Sequence, residues 1–119
     1  MSWTQPNGEL ASHKLSQKSC RPCDGGITPL SLEETTELLK NLRGWTLNDG
    51  QIYRDFSFKG FAEALAFVNR VGEIAEREGH HPDIFLHQYN KVRVTLWTHV
   101  VSGLTENDFI LAAKIDALF

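Results

Sequence analysis

Four of the five histidines in this sequence, His80, His81, His87 and His99, fall within one stretch of twenty residues, and Glu76 and Asp108 flank that stretch. Imidazole exchanges a proton near neutral pH, and a neighbouring carboxylate fixes its tautomer and raises its basicity. His80, His81 and His99 with Glu76 and Asp108 are therefore candidates for acid/base chemistry. Each also has a plainer reading when taken singly. Glu76 could be an exposed helix residue, Asp108 the third residue of a capping box, and His99 a structural residue at a strand end. A metal site built from the four histidines is a further alternative, since imidazoles bind zinc and copper. Adjacent histidines before a proline project in different directions, however, and no Asp or Cys completes an evident ligand set, so the expectation is no metal. His87 reads as a solvent-facing or cross-strand residue.

Hydrophobic periodicity gives the elements that must position these groups. Ser31-Leu32-Glu33-Glu34 is a capping box and should start a helix with Leu32, Leu38, Leu39 and Leu42 as its apolar stripe, ending by Gly44. Trp45–Leu47 and Ile52–Phe58 read as strands joined at Asn48-Asp49-Gly50, whose Asp-Gly pair tolerates the positive φ of a tight hairpin. Arg54 is the exception on the apolar side of the second strand. From Phe61 the period lengthens: Phe61, Ala64, Leu65, Val68, Val71 and Ala75 share one side of a helix, opposite Glu63, Arg70 and Arg77. Gly79 should end it, leaving Glu76 near the His80-His81-Pro82 exit, which Pro82 keeps extended. Strands over about 84–89 and 92–100, joined at Asn90-Lys91, come next, and His99 falls at the end of the second. Thr105-Glu106-Asn107-Asp108 then starts a last helix carrying Phe109, Ile110, Ala113, Ile115 and Leu118. The order α-β-β-α-β-β-α predicts an α+β fold: a four-stranded antiparallel sheet with three helices packed on one face.

At 119 residues the chain is long enough for one core, and its 41% hydrophobic and 23% charged residues are ordinary for a globular protein. No apolar run approaches the ~18 residues a membrane span needs. The N-terminal residues lack an apolar signal core, which gives the expectation of an intracellular, cytoplasmic protein. A net charge of -3 with basic residues scattered among acids argues against direct nucleic-acid binding. Residues 1–29 are polar, aperiodic and rich in Gly, Ser, Asn, Pro and Lys, and read as a partly disordered arm before a domain over 30–119. The arm holds both cysteines, Cys20-Arg21-Pro22-Cys23. This CxxC could be half of a zinc site, a redox pair or neither; a zinc site would need His13 or a second subunit, and no helix N-terminus lowers a thiol pKa.

Taken together, Glu76-x3-His80-His81-Pro82-x6-Tyr89-x9-His99-x8-Asp108 resembles the signature of the pterin-4a-carbinolamine dehydratases, or 4a-hydroxytetrahydrobiopterin dehydratases. Gly44-Trp45, Asn90-Lys91-Val92, Gly103-Leu104-Thr105 and Asn107-Asp108 fit as well, and the likeness spans about residues 30–118. It departs from some relatives in having six residues rather than five between Pro82 and Tyr89, and in carrying the arm. His87 lies in that variable spacer, outside the signature.

The resemblance implies dehydration of a 4a-hydroxytetrahydropterin to a quinonoid dihydropterin plus water, in tetrahydrobiopterin recycling. It implies His80 and His99 as the acid/base pair and His81 as a catalytic residue that mainly orients the pterin. Glu76 and Asp108 would orient imidazoles, Gly79, Trp97 and Thr98 would line the pocket, and Trp97 would lie against the ring. No cofactor or metal is implied. The implied partners are the pterin, a second or further copy of the chain in a homodimer or homotetramer, and an aromatic amino acid hydroxylase as pathway neighbour, with neither nucleic acid nor membrane. Two alternatives stay open: a non-catalytic pterin-binding or protein-interaction module resembling a transcriptional coactivator, and a role in molybdopterin metabolism.

Overall fold

A computed structural model describes residues 15–22 and 27–119; His13 and Cys23, and with Cys23 half of the CxxC, lie outside the described residues. The elements are α1 (Leu32–Leu39), β1 (Thr46–Asn48), β2 (Gln51–Ser57), α2 (Phe61–Glu78), β3 (Asp83–His87), β4 (Lys91–Leu96), a single 3-10 turn (His99–Val101) and α3 (Glu106–Asp116). The strands form one antiparallel sheet in the order β1-β2-β4-β3, and the three helices lie on one face, as the sequence predicts. No helix among the described residues is long and apolar enough to cross a membrane.

Both hairpins depend on left-handed backbone. Asp49 and Gly50 adopt φ of 53° and 79°, the mirror-image turn that matches strand twist. Between β3 and β4 the chain turns at Gln88 and Tyr89, with φ of 48° and 56°, two residues earlier than the Asn90-Lys91 junction expected. Asn90 holds this costlier turn in place. Its side-chain amide donates to the Phe58 carbonyl at 2.9 Å, and its own carbonyl accepts from the Phe58 N–H at 2.9 Å.

Ile52 and Phe56 on β2 and Val92, Val94 and Leu96 on β4 point under the helices and are buried. Arg54 shares that face because it has a partner there. Its guanidinium donates to the Asp116 carboxylate at 2.6 Å and lies over the Phe56 ring, 4.6 Å from its centroid. Asp116 also accepts from the Trp45 indole N–H at 2.9 Å and the Arg43 backbone N–H at 3.2 Å. One carboxylate thus joins the end of α3 to the α1–β1 connection and to β2.

Two apolar stripes differ from expectation. α1 ends at Leu39, short of the expected stop at Gly44; Leu38 and Leu39 at its end and Leu42 beyond it pack against the core, but Leu32 is 71% exposed and Thr35 is the buried residue. On α2 the buried face is Ala64, Phe67, Val71, Ile74 and Ala75, whereas Phe61 and Leu65 are 52% and 43% exposed. The helix carries two apolar faces, and Phe67 decides between them by packing on Phe56, Phe58 and Phe119 with ring centroids 4.6, 5.0 and 5.6 Å away.

The last strand is also shorter than the expected 92–100. It ends at Leu96, after which Thr98 turns into the core and pairs with Gly103, so His99 opens a 3-10 turn rather than closing a strand. Gly103 admits no side chain, since a Cβ there would stand 2.9 Å from the Pro29 ring. α3 behind it is buried nearly all round, as befits the central helix of the layer. Residues 15–22 lie against α2 and α3, with Leu15 buried in the core.

Asp116→Ala would strand the Trp45 and Arg43 N–H groups and the Arg54 charge, so it should lower unfolding free energy by about 3 kcal/mol in urea titration. Burial, opposed by the donors from Trp45, Arg43 and Arg54, holds the Asp116 carboxyl above its ordinary value. Its raised folded-state value makes its contribution to stability greatest below the unfolded-state value and smaller as pH rises through the folded-state value. The stability of the wild type relative to Asp116→Asn should accordingly fall as pH rises from about 4; a difference that grows with pH would contradict this.

Candidate active site

The site begins at the end of α2. Gly79, with φ of 67°, ends the helix in a left-handed turn: its N–H donates to the Glu76 carbonyl and the His80 N–H to the Ala75 carbonyl. This paired closure drops the His80 ring inward against the first turn of α3, where it is buried.

Asp108 waits there, itself fully buried. Its Oδ1 lies 2.6 Å from His80 Nε2, and its Oδ2 accepts from the Thr98 hydroxyl at 2.8 Å and the Thr105 backbone N–H at 3.0 Å. The Thr98 and Thr105 hydroxyls are 2.9 Å apart. Asp108 thus has both roles that its sequence position allowed, closing the helix start and gripping an imidazole. A carboxylate only accepts, so the His80 tautomer that satisfies it carries its proton on Nε2. Nδ1 is then the basic nitrogen of the ring. The partial positive charge of the α3 N-terminus favours a carboxylate in this place.

His81 and Glu76 form a second, solvent-exposed pair, with Nε2 3.0 Å from Oε1 across the Gly79 turn. A third group comes from the end of β4. The Trp97 and His99 rings lie 4.1 Å apart at 45°, and the Trp97 indole N–H reaches Asp83 Oδ2 at 3.4 Å. His99 is exposed and Trp97 half-buried. Thr98, between Trp97 and His99, bonds the carboxylate that holds His80, and Asp83, two residues after His81, pairs with Thr95, two residues before Trp97.

The structure therefore joins His80, Thr98 and Asp108 directly, sets His81 with Glu76 and Trp97 with His99, and places Gly79 as the turn from which both adjacent histidines leave. Sequence reasoning did not single out Thr105 or Asp83 for this site. Thr105 carried a signal, as the cap of the helix that Asp108 begins, whereas nothing in the spacing marks Asp83. His87 lies away on β3, its ring stacked on Phe85 at 4.5 Å. Among the described residues no three His, Cys, Asp or Glu side chains are grouped to hold a metal ion.

A family model described as pterin 4 alpha carbinolamine dehydratase matches residues 28–118. A relative from Nitrosospira multiformis, provisionally named a pterin-4-alpha-carbinolamine dehydratase, is 51% identical over 105 residues, covering 88% of this chain and 92% of the relative. A Rubrobacter xylanophilus relative with the same provisional name is 47% identical over 106 residues, covering 88% and 98%. The crystal structure of a transcriptional coactivator/pterin dehydratase from Brucella melitensis superposes with a TM-score of 0.72 at 40% identity, over 76% of this chain and 98% of that one. A pterin dehydratase-like protein identified as a RuBisCO assembly factor in the alpha-carboxysome superposes with a TM-score of 0.51 at 25% identity, over 62% and 84%. With the family model spanning most of the sequence and relatives near half identity, the chain belongs to the pterin 4 alpha carbinolamine dehydratase family.

Proposed function

We propose that this protein dehydrates 4a-hydroxytetrahydropterins such as 4a-hydroxytetrahydrobiopterin to the quinonoid dihydropterin, as a hydro-lyase in tetrahydrobiopterin recycling. The observation that carries this reading is the buried His80–Asp108 pair, in which a carboxylate sets the tautomer of an imidazole. In the reaction the C4a–O bond breaks and the hydroxyl leaves as water after taking a proton from an acid. A base removes a proton from ring nitrogen, and the electron pair closes the C=N bond, so no oxidant or reductant is consumed.

His80 and His99 are the acid/base pair in this reading. Asp108 keeps the His80 proton on Nε2, and Thr98 and Thr105 hold Asp108 in register. His81, steadied by Glu76, orients the pterin, and the Trp97 face offers a surface for the flat ring. Gly79 and Thr98 line the pocket. A cytoplasmic homodimer or homotetramer, following the hydroxylase that releases the carbinolamine, completes the reading. The exposed Phe61 and Leu65 face of α2 is a surface such an assembly could cover.

A second reading, a protein-interaction module, is favoured by the likeness to a protein described as a RuBisCO assembly factor and by that same exposed α2 face. The complete set of histidines and carboxylates favours the enzyme. Stopped-flow decay of the carbinolamine separates the two: faster decay at micromolar protein supports the dehydratase, and unchanged decay supports the interaction module.

His80→Ala and His99→Ala should each lower the rate roughly 100-fold or more with the fold retained, and near wild-type turnover in both would overturn the acid/base assignment. Asp108→Asn should also lower kcat by roughly 100-fold, because the amide no longer dictates the His80 tautomer. Circular dichroism of the purified variant checks that the fold survives, and unchanged kcat would remove Asp108 from the mechanism.

A further inference from the structure

The described part of the N-terminal arm touches the same two element ends that the His80–Asp108 pair joins. Leu15 is buried in the core and anchors the segment. The Ser16 carbonyl accepts from Lys114 Nζ on α3 at 2.7 Å, and Lys18 Nζ pairs with Glu106 in the first turn of α3 at 2.7 Å. The Cys20 N–H donates to Glu78 Oε1, on the last residue of α2, at 2.9 Å. Arg21 and Asn107 then exchange two hydrogen bonds. The Arg21 N–H donates to Asn107 Oδ1 at 2.9 Å, and Asn107 Nδ2 donates to the Arg21 carbonyl at 2.6 Å. Asn107 is buried, and its backbone carbonyl also lies 3.6 Å from Cys20 Sγ.

Glu78 stands two residues before His80, and Asn107 immediately before Asp108. The arm therefore fastens the backbone just upstream of each member of the buried pair, while the pair closes the same gap through its side chains. A hydrogen bond of 2.6 Å between two buried groups tolerates little drift of either backbone. We propose that residues 15–21 are a strap that positions His80 against Asp108, with Asn107 and Glu78 as positioning residues. The Cys20-Arg21 half of the CxxC thereby has a structural task through its backbone amides. The functional consequence rests on the dehydratase reading above, but the geometric claim does not.

The test uses the full chain and two NMR readouts that need no substrate: hydrogen exchange of the His80 ring Nε2–H, and amide exchange over residues 15–22. In Asn107→Ala and Glu78→Ala the strap amides should exchange faster, and the His80 ring proton at least about tenfold faster. Glu78→Gln, which keeps an acceptor for the Cys20 N–H, should restore most of the protection. If the enzyme is active, kcat should fall roughly 10-fold to 100-fold in the alanine variants with KM little changed. Faster strap exchange with an unchanged ring proton would overturn the proposal, as would a strap that stays protected in both variants or a wild type whose His80 ring proton is unprotected. If Asn107→Ala does not fold, Lys114→Met, which releases both the Ser16 carbonyl and, 3.7 Å away, the Glu78 carboxylate, carries the same comparison. Absence of dehydratase activity would leave the ring-proton result standing, and an active enzyme with an unmoved ring proton would reject the strap alone.

Discussion

The buried Asp108 carboxylate is the constraint around which this domain is arranged. Removing a carboxylate from water costs several kcal/mol unless its oxygens are matched by donors. Here the donors come from three separate elements: the imidazole leaving α2, the Thr98 hydroxyl beyond β4 and the Thr105 N–H at the start of α3. Meeting that demand fixes where α2 must stop and why β4 must end at Leu96. A second buried carboxylate, Asp116, does comparable work at the other end of α3, tying it to Trp45, Arg43 and Arg54. α3 is thus pinned at both ends by acids, with an apolar body between them.

The division of labour among the three imidazoles follows from burial. His80 is enclosed and has its tautomer set by a partner that only accepts. His81 and His99 remain in contact with solvent, His81 beside an exposed Glu76 and His99 beside Trp97. A solvent-exposed contact such as Glu76–His81 adds little to stability, so its value lies in orientation. One buried imidazole of set tautomer and two solvent-exposed ones suit a reaction in which one proton is delivered and another removed.

Much of this was legible in the sequence. Both capping boxes, the Asp49-Gly50 turn, the Gly79 stop and the alternation of Val92, Val94 and Leu96 are local signals, written in a few adjacent residues, and they lead to the observed order of elements. The parts that were not legible are those decided at long range. Phe67 rather than Phe61 faces inward because the Phe56, Phe58 and Phe119 rings are there to receive it, and on α1 it is Thr35 rather than Leu32 that turns inward. His99 leaves the strand because Thr98 is drawn to Asp108, ten residues away in the chain. Arg54 broke the strand pattern for a reason found only sixty-two residues later, at Asp116. The candidate histidines and carboxylates stand out in the sequence, but which pairs close is a matter of tertiary structure.

A structure of the protein with a dihydropterin bound is the most direct measurement. The dehydratase reading predicts the ring system lying against Trp97, with its C4a edge within about 3.5 Å of the imidazoles of His80 and His99 and a polar edge toward His81. A pterin bound away from these three histidines, or no binding at millimolar concentration, would contradict it.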